Sequence, residues 1–478
     1  MSEMSEIDSE NEEEMARLML KMDIKEEKIY RGMDYNELQR EIMEGSLSVN
    51  THIKLDQMYH LCYFKRVGIT QIYDLTILHL AICLEDEKFV DFLLENNADV
   101  LIATEHVGPV IYLAIRMHNL DYVQKLVDAG ASVNKSFCLR GLELDEVFVR
   151  DDSGNTSYRV YRYDDYSPLQ FAIKMGSYYI TKFLLSRCAD VNYRGSKDIP
   201  PPFNLCVKLD WNDLEDQLNN IEIMKLLVEY GADVNMVDAD GYQKTPLLQA
   251  ASNPKSTFVL DFLLDLPTID VNAVDNHKRS CLHLFLMASQ NNLDREDYHD
   301  TLMQILDSGV DINLVDDDQK LAIDIKVAKK RKDCIRTVKM EIVIRMAANM
   351  KVCPRNTQAL VGPEFNKFRA TCDQEVAELK TSKDPITGFF YYDILHKCLH
   401  TLALRLKNKK FDLEDGLDGD FFEYEDMINY RLKKASQRLE LFNKVENVLY
   451  EIFYKELPAI FIHELYFYLS NADLWKMS

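Results

Sequence analysis

Residues 76–100 read TILHLAICLEDEKFVDFLLENNADV, and residues 109–134 read PVIYLAIRMHNLDYVQKLVDAGASVN. At a step of 33 residues they match element by element: Leu80-Ala81-Ile82 over Leu113-Ala114-Ile115, Leu93-Leu94 over Leu126-Val127, and Ala98-Asp99-Val100 over Ala131-Ser132-Val133. A unit of this length cannot bury its apolar face alone and has to stack on neighbours. Further copies open at Ser167 (SPLQFAI, closing CADVN), Pro201 (PPFNLCV, closing YGADVN), Thr245 (TPLLQAA, closing IDVN) and Ser280 (SCLHLFL, closing SGVDIN). A degenerate copy opens at Leu321 (LAIDIKVAKKRK).

Each copy follows from local chemistry. Ser or Thr before Pro starts a helix, the hydroxyl capping free N–H groups and Pro fitting the first turn. A second helix carries F-L-L or K-L-L and ends where Gly or Asn accepts a left-handed backbone. The Asp- and Asn-rich stretches 237–241 and 274–277 make a projecting turn. These units resemble the ankyrin repeat, whose motif is T-P-L-H-x-A; Leu78-His79-Leu80-Ala81, Thr245-Pro246-Leu247 and Leu282-His283-Leu284 match most closely. The resemblance covers residues 70–335 and implies an all-α ankyrin-repeat solenoid of six to seven repeats. It also implies that His79 and His283 bond a neighbouring turn, not a metal or a substrate.

Two copies are lengthened. The stretch between Lys135 and Asp165 interrupts the period and alternates polar and apolar residues around Asp152-Ser153-Gly154-Asn155, a hairpin pattern. A shorter surplus at 210–217 falls between the two helices of its repeat. Insertions of this kind map to loops on one edge of a solenoid, where they serve either binding or as family-specific ornament. Residues 15–69 carry amphipathic helical patterns at Met15–Met22, Tyr35–Met43 and Leu55–Tyr63, which suit an N-terminal helical cap. The first 14 residues are acidic and polar and are expected to be a disordered tail, with no signal peptide.

Beyond residue 335 the period stops and a helical region, 336–478, is expected, with helices over Ile335–Met350, Phe365–Leu379, Phe390–Leu406, Tyr424–Tyr454 and Leu457–Ser470. Asn408–Asp420 reads as a solvated loop because it lacks the regular oxygen ligands of a calcium site. His396 and His400 stand four apart, but Lys397 occupies the place where a zincin needs Glu. In the last stretch, Leu457-Pro458 opens a helix whose Ile462, Leu465, Tyr466 and Leu469 share one face, and Ser470 precedes a second short helix with Asp473, Leu474 and Trp475. The order L-P, apolar helix, Y-L-S-x-x-D-L resembles the first half of an F-box. Ankyrin repeats ending in such a motif resemble the PRANC architecture of poxvirus, parasitoid-wasp and Wolbachia proteins. Residues 372–375 and 390–395 look more like the insect members. A helix pair that merely closes the repeat stack would carry a similar apolar pattern.

Bulk properties narrow the function. The chain has 478 residues, 79 acidic and 56 basic, for a net charge of −23. So acidic a chain repels nucleic-acid phosphate and anionic membranes, and no run of about 18 apolar residues occurs. The ten cysteines form no C-x-x-C, a reduced intracellular pattern without a structural zinc site. Lys329-Lys330-Arg331-Lys332 reads as a solvated face of a helix, with nuclear import as the alternative to a cytoplasmic location. No phosphate loop, nucleophile elbow or kinase signature is found, so neither an enzyme nor a cofactor is expected.

The resemblance implies two partners: a target protein on the ankyrin surface and a Skp-type adaptor of a cullin–RING ubiquitin ligase. The alternative is an inhibitor that sequesters a signalling protein, as inhibitor-of-NF-κB-like proteins do, with a structural C-terminus. Candidate target contacts are Tyr158, Tyr161, Tyr163 and Tyr166 of the insertion, with Asp238, Asp240, Tyr242, Asp275, His277 and Asp317 of the turns. Acidic turns would favour a basic partner. Candidate adaptor contacts within 457–478 are Leu457, Pro458, Ile462, Leu465, Leu469, Leu474 and Trp475.

Overall fold

The computed structural model describes residues 22–24, 29–30, 40–42, 44–50, 52–55, 75–83, 85–104, 108–138, 147–150, 156–160, 165–195, 199–209, 214–238, 241–253, 257–288, 298–327, 332–406, 421–452, 465–466 and 468–477. They are mostly helical and fall into two compact units, Met1–Tyr230 and Gly231–Ser478.

Among the described residues the first unit holds four helix pairs: α1 (Ile77–Cys83) with α2 (Glu87–Glu95), α3 (Val110–Arg116) with α4 (Leu120–Asp128), α5 (Pro168–Lys174) with α6 (Tyr178–Ser186), and α7 (Pro202–Lys208) with α8 (Leu214–Glu229). The expected start signals are in place at α5, where Ser167 accepts from the Gln170 N–H, the Gln170 side chain accepts in return from the Ser167 N–H, and Pro168 takes the first turn. α1, α3, α5 and α7 pack on one another and are buried over almost their whole length. The second helices expose one face. Left-handed residues end them: Gly130 at φ 102°, and Asn97 and Cys188 at 63° and 62°.

In three of these repeats a buried side chain three places after the start reaches the next repeat. His79 is buried; its Nδ1 lies 2.7 Å from the Thr76 hydroxyl and its Nε2 2.9 Å from the Gly108 carbonyl of the next repeat. Tyr112, in the same place one repeat on, donates to the carbonyls of Tyr166 (2.7 Å) and Lys135 (3.0 Å). Gln170 donates to the Pro200 carbonyl at 2.9 Å. Three different residue types therefore make the same bridge.

A second bridge starts from the Asn that closes the repeat. Asn134 accepts from the Asp190 N–H at 2.7 Å and donates to the Cys188 carbonyl at 3.2 Å. Asn50 accepts from the Asp99 N–H at 2.8 Å, and Gly45, five residues before it, sits at φ 71°. Residues 44–50 thus carry a similar closing turn ahead of α1, which the sequence pattern does not reveal. Around it the structure departs from the expected helical cap. Strands β1 (Met22–Ile24), β2 (Ile29–Tyr30), β3 (His52–Leu55) and β4 (Leu75–Thr76) form an antiparallel sheet of order β2-β1-β3-β4. Of the expected helices only 40–42 is seen as helix, and Leu55 is strand; the acidic tail and most of Met15–Met22 and Leu55–Tyr63 lie outside the described residues.

The first insertion is a hairpin, as its alternation implies. β5 (Ala103–Thr104) and β6 (Gly108–Pro109) precede it; β7 (Phe137–Cys138) pairs with β10 (Asp165–Tyr166) at its base, and β8 (Val147–Arg150) pairs with β9 (Thr156–Val160), Val147 opposite Val160. Of the second surplus, residues 214–217 are helix: α8 has 16 residues where α2, α4 and α6 have nine.

The second unit continues with α9 (Pro246–Ser252) and α10 (Thr257–Asp265), then α11 (Cys281–Ala288) and α12 (Tyr298–Asp307). The degenerate copy at Leu321 has a 3-10 turn, Ala322–Asp324, as its first element and α13 (Lys332–Ala347) as its second. Asn349 at φ 58° then replaces the usual Gly. The bridges recur: His283 stands 2.8 Å from the Ser280 hydroxyl and 3.1 Å from the Lys320 carbonyl. Asn235, Asn272 and Asn313 accept from Asp270, Asp311 and Cys353 at 2.7–2.8 Å. The pattern thus runs past residue 335, with Asn313 also donating to the Lys351 carbonyl at 3.0 Å.

Beyond it come α14 (Pro354–Gln358), α15 (Pro363–Leu379), α16 (Tyr391–His396), α17 (Leu399–Leu406), α18 (Glu425–Ile452) and α19 (Asn471–Met477). The single helix expected over Phe390–Leu406 is broken at Lys397, whose backbone is extended and whose carbonyl accepts from Arg431. Val343 and Ile344 of α13 join Leu379, Ile394, Leu402, Ile428, Val445 and Leu474 in one core. α18 also caps α10. Lys434 donates to the carbonyls of Leu264 and Leu266, both at 2.8 Å, and Gln437 donates to Asp265 at 2.9 Å. Asn471 of α19 donates to Pro267 at 2.6 Å. The carbonyls at the end of a helix lack partners within it, so these donors fasten the C-terminal helices to the repeat.

Ser280 N–H and hydroxyl both face Nδ1 of His283, so Nε2 carries the proton and the ring is neutral. Burial lowers its pKa below the usual 6.5, against the raising effects of the Lys320 carbonyl, Asp316 and Asp275. A lowered histidine pKa contributes stability that is present above the unfolded value and lost as pH falls through it. His283→Gln, which copies Gln170, keeps the bridge without the titration. Urea unfolding at pH 7.5 and 5.5 should show the wild type losing about 1 kcal/mol more than the variant. Equal losses would remove His283 as the cause.

Candidate protein-binding surface

The projecting turns of the second unit are built alike. The N–H groups of Asp238, Asp275 and Asp316 bond the carbonyls of Lys244, Arg279 and Lys320 at 2.9, 3.1 and 3.0 Å. The turn then reverses through a left-handed residue, Gln243, Lys278 or Gln319. Asp275 explains why the first residue is acidic. Its Oδ1 accepts from the N–H groups of His277 and Arg279, both at 2.9 Å, and its Oδ2 takes the Arg279 guanidinium at 2.6–2.7 Å. Two of the expected contacts, Asp275 and Asp238, are thus buried beneath the turns, and at Asp275 the carboxylate satisfies backbone N–H groups.

Successive turns are tied to each other. Asn276 donates from its backbone to the Tyr242 carbonyl at 3.1 Å and from its side chain to Gly241 at 2.7 Å. The Asp317 N–H donates to the His277 carbonyl at 3.1 Å. The ties place Tyr242, His277 and Asp317 in one strip. Tyr242 is 51% exposed, and its ring lies 6.3 Å from that of His277 and 5.5 Å from the Lys244 ammonium. Asp317 meets Lys278 at 3.2 Å and His277 at 3.9 Å. Beside the strip runs a groove of about 500 Å³ lined by Arg279, Met287, Asp317, Asp318, Asp324 and Lys326, among others. The acidic character expected of the turns is therefore largely answered within the strip, and its distinctive exposed groups are Tyr242, His277 and Met287.

The tyrosines of the insertion separate. Tyr166 is buried: its ring packs 6.3 Å from that of Phe171, and its hydroxyl accepts from Lys174 at 3.2 Å. It serves the bridge from Tyr112 and is no surface contact. Tyr158 lies on β9. Tyr161, Tyr163 and, in the turns, Asp240 lie outside the described residues.

The expected adaptor contacts also separate. Leu474 is fully buried in the C-terminal core, and Leu465, Leu469 and Trp475 are half-buried against it. Tyr466 stacks on Phe442 at 4.5 Å, and Arg438 donates to the carbonyls of Tyr466 and Leu469 at 2.9 and 2.6 Å. Ser470 and Asp473 cap α19 reciprocally, the start that the sequence indicates. The apolar face thus packs inward, Leu474 is not available to a partner in this state, and Tyr468 is 82% exposed. Leu457, Pro458 and Ile462 lie outside the described residues. Among the described residues no cluster of three metal-ligating side chains is present, and no helix is long and apolar enough to cross a membrane.

A family model for the ankyrin repeat matches residues 73–105 and 164–196, so the chain contains ankyrin repeats. No curated protein matches it. Among solved structures it is similar to the ankyrin repeat domain of Bcl-3, described as a unique member of the IkappaB protein family, at 20% identity and TM-score 0.39, over 55% of this chain and 98% of that one. The human ASB11 ankyrin repeat domain is similar at 16% identity and TM-score 0.39, over 55% and 97%.

Buried and exposed turn residues should behave differently on substitution. Asp275→Ala orphans two backbone N–H groups and should cost about 2–3 kcal/mol in urea unfolding. Tyr242→Ala, at the surface, should change stability by less than about 0.5 kcal/mol. Similar costs for the two would contradict this division of roles.

Proposed function

We propose that the chain is a non-enzymatic protein-binding scaffold that captures a target on the strip Tyr242–His277–Asp317 and the groove beside it. The strip supports this reading. It joins an exposed tyrosine, a histidine and the exposed Met287 on turns whose backbones are fixed to one another, so little ordering entropy is lost on binding. The net charge of −23 steers basic partners toward the chain. Tyr242→Ala with His277→Ala should weaken a captured target at least tenfold while the melting temperature stays unchanged. Full retention of every target captured by the wild type would reject the strip.

The finer reading is that the C-terminal helices deliver the captured target to a Skp-type adaptor. The sequence order from Leu457-Pro458 to Leu474-Trp475 supports it, and tethering then raises the local concentration of the target without chemistry by this chain. With Leu474 buried, first contact falls to Tyr468, Leu469 and the exposed part of Trp475. Purified adaptor should bind the full chain, and Tyr468→Asp should lower its affinity at least tenfold without altering the circular dichroism. If the wild type does not bind the adaptor, sequestration of the target with a structural C-terminus is the better account.

A further inference from the structure

Within the second unit, a cavity of about 560 Å³ is walled by residues from the ends of α12 and α13, the α16–α17 junction and α18. Its charge runs against that of the chain. Arg345, Lys351, Lys397, Arg431 and Lys434 line it, with Asp307 as the acidic group. Arg345 is neutralised by Glu341, at 2.5 Å. The others are not. Arg431 donates through Nε to the Ile394 carbonyl at 2.8 Å and through Nη2 to the Lys397 carbonyl, and its Nη1 has no hydrogen-bond partner among the described residues. Lys434, buried, bonds only the carbonyls of Leu264 and Leu266. Neither cation meets a carboxylate among the described residues, although the chain carries 79 acidic residues to 56 basic ones.

A desolvated cation without a counter-charge is costly, and proteins tolerate it where a ligand supplies the charge. Burial holds the Arg431 guanidinium below its usual range, lowers the Lys434 ammonium to about 7, and pushes the Asp307 carboxyl up to about 7, aided by Glu341 and Asp426 and opposed by Arg345. Asp307 is thus a weak competitor for the cations near neutral pH. The remaining wall is apolar, with Leu395, Leu399, Met427 and Tyr430. The volume suits a small molecule.

We propose that this cavity binds a phosphate group, with Arg431 and Lys397 taking its oxygens and the apolar wall taking the body of a small phosphate monoester. Phosphate fits better than a single carboxylate because several cations line the cavity and guanidinium favours multidentate oxygen anions. The site is separate from the turn strip and implies that a small metabolite-like ligand stabilises the junction between the repeats and the C-terminal helices.

The full chain would be titrated at pH 7 in chloride buffer with inorganic phosphate and with phenyl phosphate, followed by calorimetry and by ³¹P line broadening. Millimolar binding of phosphate is expected, with phenyl phosphate at least tenfold tighter; equal affinities would identify free phosphate as the occupant. Lys397→Glu and, separately, the exposed Lys351→Glu should each weaken binding at least fivefold, with circular dichroism and melting temperature in the absence of ligand unchanged. The second variant guards against a folding defect in the first. Absence of binding by the wild type, or binding undiminished in both folded variants, would overturn the site.

Discussion

In the repeats opening at Thr76, Pro109, Ser167 and Ser280, one buried side chain three residues after the start reaches across to a backbone carbonyl of the next repeat, and the setting of those repeats depends on that reach. An isolated helix pair of this size cannot bury enough apolar surface to be stable. The apolar faces of α1, α3, α5 and α7 supply most of the driving force, but apolar packing is not directional. The bridge sets how one repeat sits on another, because an unmade hydrogen bond in that position would strand a buried polar group. His79 and His283, Tyr112, and Gln170 satisfy it with three kinds of side chain. The closing Asn residues do the same at the opposite end of the repeat.

The repeat was legible because its signals are local. Ser167-Pro168 and the 33-residue spacing of apolar residues announce helix pairs wherever they occur, and the alternation across 147–160 announces a hairpin. What the sequence concealed depends on long-range partners. Residues 44–50 form a similar closing turn, yet only the bond to Asn50 from Asp99 reveals it. Asp238 and Asp275 resemble surface acids in sequence, since a carboxylate that caps a turn and one that faces solvent have the same one-letter code. A spacing signal existed: each stands several residues before the Thr or Ser that starts the following helix, with a basic residue between. Tyr166 misled in the same way, its neighbours in sequence being hairpin while its ring belongs to α5.

The C-terminal helices show how a motif and a fold can compete for the same residues. The apolar face that resembles half an F-box is also the face that closes the core around Phe442, and Leu474 completes it. Lys434, Gln437 and Asn471 then fix these helices to the open end of α10, through carbonyls that the helix itself cannot satisfy. A partner of this region must therefore either use what stays exposed or replace those contacts, which makes the junction a natural place for ligand control. Charge reinforces the point, because α18 brings Arg431, Lys434 and Arg438 into the interior of an acidic chain without a carboxylate partner among the described residues.

The most direct test of the account is native-state hydrogen exchange on Asn272→Ala, which removes the acceptor of the Asp311 N–H and leaves the apolar packing alone. If polar bridges set repeat against repeat, protection should fall at the Asp311 amide and also through α10 and α12 together, by an amount equivalent to about 1–2 kcal/mol. Loss confined to the Asp311 amide, with both helices as protected as before, would contradict the claim and leave apolar packing as the sole determinant of the stack.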